Sequence, residues 1–219
     1  MLEFELLYSA LNSEAEMDKA TFELSLSYWQ SKTYKKGDFF NEYKNICKHL
    51  GFIVEGIFRI YQVHEDTGEE KNMLFFSSHQ FISSYKNFLN HGTRGYFIES
   101  LVNSTILYIH IDHLNLLYKQ SHGWERFGRL IAEQAYDVVM TNTENLLFKT
   151  PEVRYLEMIS QRPEIFNAVP LYHIASYLGI QGPSLSRIRK RITGSPQKNK
   201  QAINLITEVP IIIADNRTG

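Results

Sequence analysis

Apolar and polar residues follow three successive rhythms along the chain. Over residues 2–31, Leu2, Leu6, Leu7 and Leu11, then Phe22, Leu24 and Leu26, stand among acids and serines at spacings that predict two short helices. From Lys32 the texture changes to short runs rich in aromatic and β-branched residues, separated by turn signals. Tyr34-Lys35-Lys36-Gly37-Asp38 is one such turn, and Asp66-Thr67-Gly68-Glu69 is another. Between them, Phe52 to Tyr61 reads as two strands broken at Glu55-Gly56. Lys71–Phe76, Gly95–Leu101 and Ser104–Ile111 predict further strands. Turns recurring at roughly ten-residue intervals point to an antiparallel sandwich or barrel.

After Ile111 the rhythm is helical again. Asp112 is placed to cap a short helix, His113–Tyr118. Trp124 to Phe148 predicts one long helix, about 37 Å from end to end. Phe127, Ile131, Ala135 and Val138 form its stripe, which Asn142 and Asn145 continue and Leu130 and Val139 widen. No neighbouring segment is available to cover both sides of such a helix, so the stripe is expected to pair with a second copy. A buried Asn such as Asn142 can fix the register of that pairing. Thr150-Pro151 breaks the helix and marks a hinge. Val153–Ser160 is a further helix beyond it.

The stretch Val169–Ile192 reads as a helix-turn-helix. Leu171, Ile174, Ala175 and Leu178 give a first helix one apolar face, and Gly179 can take the positive φ of a sharp turn. A second helix starts near Pro183, with Leu185, Ile188 and Ile192 facing inward. The small Ala175 lets the two helices approach. The rest of the second helix carries Ser184, Ser186, Arg187, Arg189, Lys190 and Arg191, preceded by Gln181. An arginine there can fork onto guanine O6 and N7, while lysines and serines suit phosphate oxygens. Thr193-Gly194-Ser195-Pro196 ends the helix. Ala202–Ala214 is strand-like and forms either a small wing or a tail.

Charge strengthens this reading. The formal net charge is −1, yet no Asp or Glu occurs from Asn167 to Thr207, where Arg187, Arg189, Lys190, Arg191, Lys198 and Lys200 lie. A basic end on an acidic body suits a protein that presents one terminus to nucleic acid. The single cysteine, Cys47, excludes an intrachain disulfide and a cysteine-ligated iron–sulfur cluster. No apolar run approaches the roughly 20 residues of a membrane span. The start of the chain is acidic rather than signal-like, so a cytoplasmic protein without membrane contact is expected. Gly-x-Ser-x-Gly, the phosphate loop of nucleotide hydrolases and the dinucleotide glycine fingerprint are absent. His110-Ile111-Asp112-His113 is the one cluster with metal-like spacing, and a capping or surface role explains it better. The expectation is a non-enzyme with no cofactor and no metal.

In order and content, the β-rich part, long helix, hinge and helix-turn-helix resemble the Crp/Fnr family of bacterial transcription regulators, over about residues 20–192. Ser184-Leu185-Ser186-Arg187-Ile188 looks like the family's recognition helix, and the resemblance assigns guanine contact to Arg187. Gly182-Pro183 stands where the family often has Arg-Glu. The β-rich part resembles a cyclic-nucleotide-binding β-roll with turn glycines at Gly37, Gly56 and Gly68. The family's phosphate cassette falls on Phe81-Ile82-Ser83-Ser84-Tyr85 and Thr93-Arg94-Gly95-Tyr96. Arg94 takes the place of the phosphate-binding arginine, but Ser84 replaces the carboxylate that grips ribose. Val139-Met140 replaces a Thr-Ser pair that meets the purine. The resemblance therefore implies an effector site at Ser83, Ser84, Thr93 and Arg94 that does not take cyclic AMP.

These readings define an α+β chain. Residues 1–123 are expected to form the sensor β-roll, 124–149 the dimerisation helix, and 150–219 a winged-helix-like helix-turn-helix domain. The expected function is a homodimeric, sequence-specific DNA-binding regulator. Its expected partners are double-stranded DNA, a second copy, a small-molecule effector and RNA polymerase. The alternative is a ligand-binding or protein-interaction module whose helix-turn-helix no longer reads DNA.

Overall fold

The computed structural model describes residues 2–42, 47–84 and 96–193. Helices α1 (Leu2–Ala15) and α2 (Lys19–Glu23) lead through a 3₁₀ turn at Leu26–Tyr28 into the strands. These are β1 (Trp29–Tyr34), β2 (Phe39–Asn41), β3 (His49–Glu55), β4 (Ile57–Val63), β5 (Glu70–Ser77), β6 (Phe81–Ile82), β7 (Phe97–Ser100) and β8 (Ser104–His110). Helices α3 (Ile111–Gln120), α4 (His122–Phe148), α5 (Pro151–Gln161), α6 (Pro163–Ala168), α7 (Leu171–Tyr177) and α8 (Gly182–Thr193) complete the order.

The strands form two four-stranded antiparallel sheets, β1-β8-β3-β6 and β2-β7-β4-β5. Glu55-Gly56 breaks β3 from β4 as expected, because Gly56 adopts a φ of +133° beside Ser104. Ile53, Phe58, Ile98 and Ile106 fill the space between the sheets. On the outer face of the first sheet, Phe52 and Leu107 pack under Leu7, Leu11, Trp124 and Phe127 from α1 and α4. Trp124 donates its indole N–H to the Thr21 carbonyl (3.0 Å), which ties the start of the long helix to α2.

Several local expectations are corrected. Trp29–Tyr34 is a strand rather than the end of a helical region, paired along its length with β8 from Trp29↔Ile109 to Tyr34↔Ser104. Only its two end residues are buried, so the sequence carries no alternation to announce it. The cap of α3 is His110, whose Nδ1 accepts from the Asp112 amide (3.2 Å). The helix therefore starts at Ile111, two residues earlier than an Asp112 cap allows. Thr150-Pro151 begins a helix as well as ending one, since Pro151 is the first residue of α5 and Thr150 accepts from the Val153 amide (3.4 Å). Helix α6 was not expected; six residues are too few to show a period.

A third core joins the two ends of the molecule. Ile57, Phe75 and Leu101 of the β-roll pack with Tyr155, Met158, Ile165, Ile174, Leu185 and Ile188 of the C-terminal helices. Strand β5 is an edge of its sheet, and Ser176 of α7 occupies that edge. Its hydroxyl accepts from the Asn72 amide (3.0 Å) and donates to the Glu70 carbonyl (2.9 Å).

Candidate functional site

The turn between α7 and α8 is built by its glycine. Gly179 sits at φ +67°, its amide bonds the Ser176 carbonyl (3.1 Å), and the Ile180 amide reaches back to the Ala175 carbonyl (3.0 Å). This is the left-handed helix termination in which two orphan carbonyls are satisfied together. Helix α8 then starts on the Gln181 carbonyl, which accepts from the Ser184 and Leu185 amides (3.0 and 3.2 Å). Ala175, Leu178, Leu185 and Ile188 are buried where the helices meet, and Ile192 packs against them.

The outer surface of α8 is not uniform. Ser186, Arg187 and Lys190 are exposed and lie on one side of the helix, opposite Leu185 and Ile188. Arg187 has no ion-pair partner among the described residues. Arg191 is instead bound to the Glu152 carboxylate of α5, and Arg189 hydrogen-bonds the Tyr155 side chain. Ser184 is half-buried, and Gln181 is exposed at the helix start. Of the seven residues expected to meet DNA, then, two cations are used to brace the helix from behind. Lys198, Lys200 and the wing-or-tail stretch lie outside the described residues.

A second feature is a cavity of about 340 Å³ between the β-roll and α4. Ile131, Ala135, Val138 and Val139 of the helix face Leu74, Phe76 and Phe81 of the roll across it. Both cassette serines line it. Ser83 donates to the His49 carbonyl (3.0 Å), while Ser84 is 1% exposed and its Oγ has no hydrogen-bond partner among the described residues. Thr93 and Arg94 fall outside the described residues. Met140, the other half of the Val139-Met140 pair, does not line the cavity and is exposed on α4.

Much of the expected dimerisation stripe also meets its own chain, while Val138 stays exposed. Phe127 is fully buried, edge-on to Phe81 (ring centroids 4.9 Å) and Trp124 (5.6 Å). Ile131, Ala135 and Val138 face the cavity. Asn142 accepts from the Tyr177 hydroxyl of α7 (3.2 Å). Val138 and Val139 nevertheless remain exposed at the cavity's rim, and further exposed apolar residues lie elsewhere on α4, at Tyr136, Met140, Leu146, Leu147 and Phe148. Periodicity identified an apolar face but carried no information about what covers it.

Sequence reasoning also missed the polar junction that holds α7 on the roll. Arg59 of β4, 3% exposed, donates to Glu99 (Nε–Oε2 2.8 Å), Glu70 (2.6 Å), Asn72 (3.3 Å) and Nδ1 of His173 (2.9 Å). Its guanidinium also lies over the Tyr61 ring (3.8 Å). Burial, with Arg59 beside it, lowers the His173 pKa to about 4. The helix pair α7–α8, with its exposed face, and the cavity are therefore held in one body by Arg59, Ser176 and the shared core. Among the described residues, His110, Asp112 and His113 form no metal-holding group. No described helix is long and apolar enough to cross a membrane.

An antiparallel β-roll, a long helix and a C-terminal helix-turn-helix, in this order, form the α+β architecture of Crp/Fnr-type regulators. Three solved structures carry the likeness. A Crp/Fnr-family transcriptional regulator of Eubacterium rectale superposes at TM-score 0.65 and 14% identity, covering 81% of this chain and 84% of its own. The c-di-GMP-responsive global regulator CLP of Xanthomonas campestris gives 0.64 and 19%, over 81% and 92%. FixK2 of Bradyrhizobium japonicum gives 0.63 and 15%, over 76% and 85%. At these identities the shared property is the fold. No protein-family model and no curated protein sequence matches the chain.

Proposed function

We propose that the chain is a sequence-specific DNA-binding transcription regulator, acting as a homodimer, whose β-roll carries a sensor cavity that does not take cyclic AMP. The observation that carries this reading is the exposed Ser186, Arg187 and Lys190 face of α8, set on a helix-turn-helix whose glycine turn and buried seam are complete. Arg187 is the base-reading residue, Ser186 and Lys190 contact phosphate, and Gln181 and Ser184 border the same groove. Arg189 and Arg191 set the pitch of α8 against α5. Residues 150–219 form the DNA-binding unit and residues 1–123 the sensor.

A dimer places two such heads about one helical turn apart on DNA. Its contact lies along Tyr136, Met140 and Leu147 of α4, exposed apolar residues that recur at helical spacing on the side of the helix turned away from the cavity. The sensor reading rests on Ser84 and the apolar walls around it: Ser84 stands where the family's ribose carboxylate would be, and the acid that lines the cavity, Glu14 of α1, is bonded to Gln134. An effector would act by its differential affinity for two hinge arrangements.

One observation favours the second reading, a module that no longer reads DNA: α7 shares a core with the roll and is held by Arg59. Selection of sites from random duplex DNA separates the two. An enriched palindrome supports the regulator. Absence of enrichment at low salt, with and without cyclic nucleotides, supports the module.

A further inference from the structure

At the hinge, β5, α4, α5 and α7 enclose a cleft of about 270 Å³. Met73, Leu74 and Val139 line both this cleft and the sensor cavity, and so stand between the two. Its walls are largely apolar, with Leu146 and Met158 on the helical side. Two arginines line it without a carboxylate partner among the described residues. Arg154 spends its terminal nitrogens on neutral carbonyls, those of Asn145 (3.2 Å), Leu146 (3.4 Å), Lys149 (2.7 Å) and Leu178 (2.6 Å), and its Nε is buried with no partner. Arg162 donates to the Phe75 carbonyl (2.8 Å). Burial lowers the pKa of both guanidinium groups. The cleft's one carboxylate, Glu157, is already neutralised by Lys149 (2.6 Å).

Two partly desolvated cations thus line an apolar cleft whose own acid is already paired: among the described residues Arg154 is met only by carbonyls, chiefly those ending α4, and Arg162 feels Glu164 without forming an ion pair with it. Such a site retains positive charge and favours an anion. We propose that this cleft is a ligand site, separate from the sensor cavity, for a small organic anion with an apolar body, a medium-chain monocarboxylate being the simplest member of the class. The carboxylate pairs with Arg162 and the Arg154 Nε–H, and the chain lies against Met73, Leu74, Leu146 and Met158. Because four elements build the cleft, such a ligand binds the docked arrangement of the helix-turn-helix and favours it.

The test is calorimetric titration of the full chain with octanoate, and with octanol as the uncharged control; no DNA is needed, so the outcome is independent of DNA reading. The expected result is one octanoate per chain and little octanol binding. Affinity should fall at least about tenfold in Arg162→Gln, which removes the charge, and equally in Leu146→Trp, which fills the cleft from an exposed position. Should Arg162→Gln fail to fold, Leu146→Trp alone decides. Binding should survive Ala135→Trp, which fills the sensor cavity. The proposal is overturned if octanoate does not bind at millimolar concentration, if octanol binds equally, if the cleft variants leave affinity unchanged, or if Ala135→Trp alone abolishes binding.

Discussion

Arg59 donates to Nδ1 of His173 across 2.9 Å, and Asn72 offers its side-chain N–H to the same nitrogen at 3.3 Å. Two donors on one ring nitrogen fix the tautomer: Nδ1 accepts, and the imidazole is neutral with its proton on Nε2. A strand of the β-roll and α7 are thereby joined through a group that resists protonation while docked.

The junction should therefore loosen in acid. Burial and the Arg59 charge hold the His173 pKa near 4, while Glu70 acts in the opposite sense and Lys36 adds a smaller depression. Undocking returns the ring to its ordinary value of about 6.5. A depressed pKa means that docking is fully favoured above about pH 6.5, then weakens as pH falls toward 4 by at most about 1.4 kcal/mol per unit. Amide exchange of α7, corrected for the intrinsic rate, should speed up between pH 7 and pH 5 relative to β8. His173→Gln should remove that dependence. Identical pH profiles for α7 and β8 in the parent chain would sink the idea.

Glycines separate two kinds of backbone demand. At Gly56 an added Cβ would stand 2.0 Å from Ser104 Oγ and 3.0 Å from its Cα, at a φ of +133°. Gly56→Ala combines a backbone penalty with overpacking and should cost at least about 3 kcal/mol. At Gly179, φ is +67° and the nearest atom, Leu146 Cδ2, is an ordinary 3.4 Å away. Gly179→Ala should cost only about 1 kcal/mol. Urea unfolding of both variants checks the ranking; equal costs would mean that the roll relaxes around Ser104.

Arg187 and Arg191 are separated by one helical turn and should behave differently. Arg187→Ala should weaken binding to the selected site by roughly 1–3 kcal/mol and relax preference at one base pair per half-site. Arg191→Ala should change sequence preference little, because its guanidinium is committed to Glu152. Selection from random DNA with each variant is the measurement. Uniform weakening on all sequences by Arg187→Ala would reduce it to a phosphate contact.

What the sequence made legible was whatever repeats locally. The helix-turn-helix, the long helix and the Gly56 break all announce themselves within one or two turns of chain. Trp29–Tyr34 did not, since an edge strand buried only at its ends has no alternation. The Arg59–His173 junction spans 114 residues and leaves no local signal. The hinge cleft was hidden for the same reason, being assembled from β5 and three helices far apart in the chain.

The long helix shows the limit most clearly and yields the last prediction. Phe127 and Tyr136 both belong to its apolar content, yet Phe127 is fully buried and Tyr136 is 67% exposed. Phe127→Ala should destabilise the fold itself by about 3–5 kcal/mol, because it empties a site between Phe81 and Trp124. Tyr136→Glu with Met140→Glu should leave the unfolding midpoint of the isolated chain nearly unchanged, since both side chains lie outside the core. In a dimer they would set like charges against each other across the pair, and sedimentation should report a monomer. A parent chain that sediments as a monomer would overturn the homodimer, and a double variant that remains dimeric would move the contact away from this face of α4.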